Sequence, residues 1–269
     1  MLQIASEIGW SPALTTQIVE IGGEVSECLR PPDRWLLQVS LKEAGEIQPP
    51  KQGLQPVPLA DDPEAWISES EGEFWLWRPG FSFFLDLAKR EGEAQLSWPR
   101  EWQSVLRIIY FHGFLQHQGL MLHAAGLVRR GKAYLFPGPS GAGKTTIVRK
   151  SQGMTVLSDE FSGVQVAGNG ADVTAFGTPI YGDWGRPGED VAAPLQGFYF
   201  PVQAQENVAV PLNSREVLTR LLHCLSIYTT RPSRLRRLFD LTVKLAETVP
   251  GYALHFRPAP DLWQAIDAT

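Results

Sequence analysis

The stretch Leu135–Thr146, LFPGPSGAGKTT, fits the pattern G-x-x-x-x-G-K-[ST], and no other part of the chain constrains the fold as strongly. The motif works only where a strand feeds a tight loop and a helix leaves it. The loop's backbone N–H groups must converge on one anion, with the positive end of the helix behind them. Gly138, Gly141 and Gly143 permit that turn, and Ser140, Ala142 and Thr146 complete the loop. KAYLFPG before it is an apolar run that reads as a strand. GKTTIVRKSQG after it reads as a helix ending near Gly153. Lys144 has the length to reach β- and γ-phosphates, and the Thr145 hydroxyl suits Mg²⁺. The loop therefore predicts a nucleoside triphosphate together with Mg²⁺.

The next acidic pair sharpens the reading. Asp159 follows Lys144 by fifteen positions, with one helix between them. A strand entering directly after that helix, TVLSDE, is expected beside the P-loop strand. It would deliver Asp159 and Glu160 at its C-terminal end, where open α/β sheets bind ligands. Two carboxylates there can divide the labour, one holding Mg²⁺ and the other taking a proton from an attacking hydroxyl. The plainer alternative, an exposed turn capped by SDE, stays open.

Around this centre the chain has two textures. Residues 1–100 are broken by Pro and Gly around short aromatic runs, RWLLQV, FWLWRPG and FSFFLDL, and predict a mainly β domain of unknown role. Trp102, Val105, Leu106, Ile109, Tyr110 and Phe114 recur at steps of three and four, so residues 101–119 predict a connecting helix. From Leu120 an α/β rhythm begins. LMLHAAGLV and KAYLFPG, joined by RRGK, read as adjacent strands. FSGVQVAGNGADVTAFG reads as a hairpin turning at GNG, and GFYFPVQ as a further strand. Helices are expected from Ser214 to about Ile227 and from Pro232 to about Leu245, before a closing strand YALHFRP.

Composition excludes several classes. With 43% hydrophobic and 20% charged residues the chain carries no disorder signature, and it has no apolar run long enough to span a bilayer. Two cysteines, Cys28 and Cys224, are too few for a disulfide framework or a zinc cluster. A net charge of −5 argues against a broad nucleic-acid surface. No secretory pattern opens the sequence, so the expectation is a cytoplasmic protein with neither nucleic acid nor membrane as partner.

The run LHAAGLV, then GKAYLFPGPSGAGKTT, then VLSDE resembles the HPr kinase/phosphorylase family and its smaller serine- and peptide-directed kinase relatives. The resemblance covers roughly residues 120–260. It implies an α/β P-loop kinase core of the HPr kinase/phosphoenolpyruvate carboxykinase type over residues 120–269. The implied activity is ATP-dependent transfer of a phosphoryl group to a Ser/Thr hydroxyl on a peptide, a small protein or free serine, by a chain that can assemble as a homo-oligomer. Carried over by position, Asp159 is the general base, Glu160 a metal-side carboxylate and Lys144 the phosphate-binding cation, with Thr145, Asp159 and Glu160 around the metal. His123, on the strand before the P-loop strand, falls near the transferred group, though a packed strand histidine is an equal reading. The family's second aspartate is here Glu160, and its phosphorolysis signature is not found.

Weaker candidates have plain readings beside them. Asp183 in GTPIYGDWG is either a ligand or, more simply, a turn residue. Arg231, Arg234, Arg236 and Arg237 of RPSRLRR either clamp phosphates or form the solvated face of a helix, the reading preferred here. A nucleotide-dependent regulatory module with slow hydrolysis, and a small-molecule kinase using the arginine run as a lid, remain alternatives.

Overall fold

The computed structural model describes residues 35–49, 65–167, 172–259 and 261–269, and the backbone of residues 16–21. The expected turn at GNG lies outside the described residues, as do the sequences RPPDR and PVPLADD. The chain divides into two compact units, one comprising residues 1–113 and 227–235, the other residues 114–226 and 236–269.

The first unit is built on a six-stranded sheet. Its strands are β1 (Thr16–Ile21), β2 (Trp35–Leu41), β3 (Trp66–Glu69), β4 (Glu73–Arg78), β5 (Phe81–Asp86) and β6 (Glu91–Leu96), in the order β1-β2-β6-β5-β4-β3. All pairs are antiparallel except β2–β6. Burial alternates along β5: Phe81, Phe83 and Leu85 are fully buried, while Ser82, Phe84 and Asp86 face the other way. That period of two places the aromatic sequence partly in the core and partly outside it. Trp75 and Phe84, on the half-exposed face, lie against each other with ring centroids 4.3 Å apart. Helix α1 (Trp102–Gln116) follows, and its Val105, Leu106, Ile108 and Ile109 are fully buried. Each such side chain contributes roughly 1.5–3 kcal/mol by leaving water.

The second unit holds β7 (Gly119–Arg129), β8 (Lys132–Pro137), α2 (Lys144–Lys150), β9 (Thr155–Ser158), β10 (Phe161–Val166), β11 (Val173–Phe176), β12 (Ala192–Gln203), β13 (Val208–Leu212), α3 (Ser214–Leu222), most of α4 (Pro232–Thr248), β14 (Gly251–Phe256) and α5 (Leu262–Asp267). β7 and β8 form an antiparallel hairpin, turned by Arg130 and Gly131 at φ 53° and 74°. Hydrogen bonding runs from β10 to β7, β8, β12, β11 and back to β10, a closed five-stranded barrel. β14 and β13 extend from β12, and β9 attaches to β7. Ile147 and Val148 of α2 pack with Phe136, Tyr199 and Phe256 of the strands and with Trp263 of α5 in one buried cluster.

The expected α/β P-loop kinase core is therefore corrected. Strand outweighs helix, 39% to 28%, and the sheet is a barrel with an extension. Among the described residues of this unit, only β8–β12 and β12–β14 pair in parallel. The apolar runs read as strands of an α/β core are buried because they line a closed barrel and its packed exterior, a burial that local periodicity does not distinguish from an open α/β sheet. The strand after the P-loop helix also departs from expectation. β9 pairs antiparallel with β7, not beside β8. Among the described residues no helix is long and apolar enough to cross a membrane.

Candidate functional site

The loop is seated at the end of β8. Its last ladder-like bond runs from Gly138 N–H to the His123 carbonyl (3.2 Å), and Gly143 then stands at the N-cap of α2 in the left-handed region, φ 103°. Only glycine fits there, since a Cβ would lie 2.4 Å from Cζ of Phe256. Gly141 is also left-handed, φ 81°, and its carbonyl accepts from Gln203 Nε2 at 3.1 Å. Gly138 is buried, whereas Ser140 is exposed on the rim. Ala142 and Thr146 occupy the turn and first helical turn at intermediate exposure.

Lys144 is 95% buried and folds back on the loop, its Nζ donating to the carbonyls of Gly138 (2.9 Å) and Pro139 (3.0 Å). Burial pushes its pKa down. Nearby Glu160, Cys224 and Asp159 act in the opposite direction. Burial likewise raises the Cys224 thiol to about 11, against the pull of Lys144. Sequence reasoning left Cys224 aside, yet it neighbours the site, with its carbonyl accepting from His123 N–H at 2.7 Å.

The acidic pair is placed by a turn that Ser158 builds. Its buried hydroxyl accepts N–H bonds from Glu160 and Phe161, both 3.0 Å, and donates to the Ile180 carbonyl at 2.8 Å. Asp159 is fully buried. Its Oδ1 accepts from Gly182 N–H (2.8 Å), and its Oδ2 from Trp184 N–H (2.8 Å) and the Thr145 hydroxyl (3.2 Å). Asp159 thus joins the P-loop helix to the YGDWG segment. Arg149 of α2 adds a second tie, donating to the Asp183 carbonyl at 2.7 Å. Asp183 itself is exposed, so it enters through its backbone. Glu160 lies at the open side of the turn, its Oε1 3.5 Å from His123 Nε2 and both side chains about a quarter exposed. The His123 ring stacks on Phe161, centroids 5.0 Å apart.

The structure thus brings Lys144, Thr145, Asp159, Glu160 and His123 together. It does not bring the arginine run. Arg234 and Arg231 are paired with Glu69 and Glu71 of the first unit. Arg236 faces Asp240 at 4.0 Å, and Arg237 donates to the Gln116 carbonyl. What sequence reasoning missed is the pair of loop N–H donors at Gly182 and Trp184. The only local signal for them was the glycine before Asp183.

Fold and site together define a class: a β-barrel protein with a P-loop at the end of one barrel strand and an acidic pair brought beside it by β9. Within that class, residues 89–269 match the model of the family described as SynChlorMet cassette protein ScmC, and the chain belongs to that family. No curated protein matches the chain.

Proposed function

We propose that the chain is an ATP-dependent kinase that transfers the γ-phosphoryl group to a Ser/Thr hydroxyl of a peptide, a small protein or a free amino acid. The observation that carries this reading is the 3.2 Å bond between the Thr145 hydroxyl and Asp159, made beside a buried Lys144 at the start of the loop helix. A phosphate in the loop would take over the Lys144 ammonium now held by two carbonyls. The residues fit Mg²⁺, since Thr145 and Asp159 offer hard oxygen donors side by side. When bound it supplies charge neutralisation on the β- and γ-oxygens. Lys144 and the loop N–H groups then orient the triphosphate, and Arg149 and Asp159 hold the 182–184 segment beside it. The resemblance of these sequence blocks to HPr kinases supports a hydroxyl acceptor. A cytoplasmic setting, with ATP at hand, is part of the same proposal.

The test incubates the protein with γ-labelled ATP and host extract or peptides encoded nearby, and locates the label by mass spectrometry. Label on a Ser or Thr that disappears with Lys144→Ala supports the kinase. Phosphate release with no labelled acceptor would favour a nucleotide-dependent regulatory module instead.

A further inference from the structure

The two carboxylates after β9 differ in burial. Asp159 is fully buried, and both of its oxygens already accept backbone N–H bonds of 2.8 Å from the 182–184 segment, with the Thr145 hydroxyl as a third donor. Three of the carboxylate's four lone-pair sites are thus already taken, and the group has no exposed surface. Glu160 is a quarter exposed. One oxygen faces His123 Nε2 at 3.5 Å, and the other lies against Gly182, where an added Cβ would be 2.6 Å away. The absence of a side chain at Gly182 thus leaves room for the Glu160 carboxylate. Phe161, stacked on the His123 ring, fixes that ring's plane.

The geometry points to Glu160, rather than Asp159, as the group that accepts the proton of the attacking hydroxyl, with His123 as a positioning residue beside it. This assignment rests on the kinase reading above. In the step, the acceptor hydroxyl oxygen bonds to Pγ while its proton passes to a Glu160 oxygen. The bond between Pγ and the β–γ bridging oxygen breaks, and its electron pair leaves with ADP. Asp159 stays ionised and keeps the loop and Thr145 in place. The extra methylene of glutamate carries the carboxylate out of the buried turn toward the acceptor side.

The full-length protein can be tested with Mg·ATP and water as the probe acceptor, which avoids the unidentified substrate. Binding of a fluorescent ATP analogue is measured beside single-turnover release of labelled phosphate. Glu160→Gln is expected to bind within about threefold of wild type and to release phosphate at least about a hundredfold more slowly, the range of a lost general base. Asp159→Asn is expected to weaken Mg·ATP binding as well as turnover. His123→Phe is expected to lower kcat by about tenfold at unchanged KM for ATP, with His123→Gln recovering part of the loss. Glu160→Gln turning over at the wild-type rate would overturn the assignment, as would equal losses of binding and rate, which would place Glu160 on the metal side. A wild-type protein that fails to bind Mg·ATP would fell the nucleotide reading itself.

Discussion

Gly143 carries two demands at once, a left-handed backbone and a face pressed against the Phe256 ring. Gly143→Ala would add strain of roughly 1–2 kcal/mol for the conformation, and overpacking of about 1–3 kcal/mol where the ring must shift. On the proposed nucleotide reading, the expected result is loss of ATP affinity by tenfold or more, together with a lower melting temperature, read by nucleotide titration and thermal unfolding. An alanine variant that binds as wild type would show that the loop tolerates another path. His112 makes a prediction of a different kind. It is buried between Phe74 and Phe111, ring centroids 4.7 and 5.0 Å away, and burial lowers its pKa to about 3, with the nearby Arg234 charge adding to the shift. Its folded pKa lies below its unfolded value of 6.5, so only the unfolded chain takes up the proton as pH falls between the two. Its neutral burial is therefore without penalty above about pH 6.5, and stability declines from there toward pH 3. Between pH 6.5 and 5 the loss is about 2 kcal/mol. His112→Phe is expected to flatten urea-unfolding stability over that interval, and an unchanged slope would refute the assignment.

At the scale of elements, the segment from Thr178 to Gly188 is a closed loop whose stem lies on β9. Thr178 N–H bonds Leu157 O (3.0 Å), Gly188 N–H bonds Thr178 O (3.2 Å), and Glu189 N–H bonds Val156 O (2.7 Å). Gly188 sits so near the strand that a Cβ would fall 1.7 Å from the Leu157 carbonyl. Gly188→Ala should therefore lift the stem. Hydrogen exchange at the Gly182 and Trp184 amides, which Asp159 now holds, is expected to accelerate by tenfold or more, while exchange in α4 stays as it was. Unchanged protection at those two amides would mean that Asp159 alone fixes the loop. This element also marks where the sequence stopped being legible. The β7–β8 hairpin could be read from RRGK, because its turn needs positive φ at adjacent positions. The start of α3 is similarly local, with Asn213 and Glu216 bonding each other's backbone in a capping box. The P-loop carries its own strand–loop–helix context. By contrast, the N–H donors to Asp159 lie more than twenty positions downstream, and the β11–β12 pairing that closes the barrel joins strands separated by the whole loop. Neither leaves a local periodicity, so the acidic pair was legible as a pair while the backbone donors that hold Asp159 were not.

At the scale of the whole molecule, the decisive feature is that the first unit is discontinuous. Residues 227–235 belong to it, although the chain has by then built most of the second unit. They are held through Glu69, whose side chain is 1% exposed and accepts from the Thr229 hydroxyl (2.7 Å), Arg231 N–H (2.7 Å), Arg234 (2.7 Å) and Thr230 N–H. A buried carboxylate with this many donors leaves several of them unsatisfied when it is removed, at a cost of about 3–5 kcal/mol. Immediately before this segment, Ser226 N–H bonds the Met121 carbonyl and Leu225 bridges to Leu122, both on β7. A cut at residue 100, which the linear sequence suggests as a domain boundary, would remove Glu69 and the six-stranded sheet. It would also strip cover from the buried α1 residues Val105, Leu106, Ile108 and Ile109 and leave residues 229–234 without their partner. A chain of residues 101–269 is expected to melt at least about 10 °C below the full protein, or to aggregate, and Glu69→Gln in the full chain to shift the urea midpoint by the equivalent of about 3 kcal/mol. Thermal and urea unfolding of the two variants beside wild type decide it. A fragment that unfolds cooperatively at the wild-type temperature would mean that α1 and residues 229–234 need neither the sheet nor Glu69.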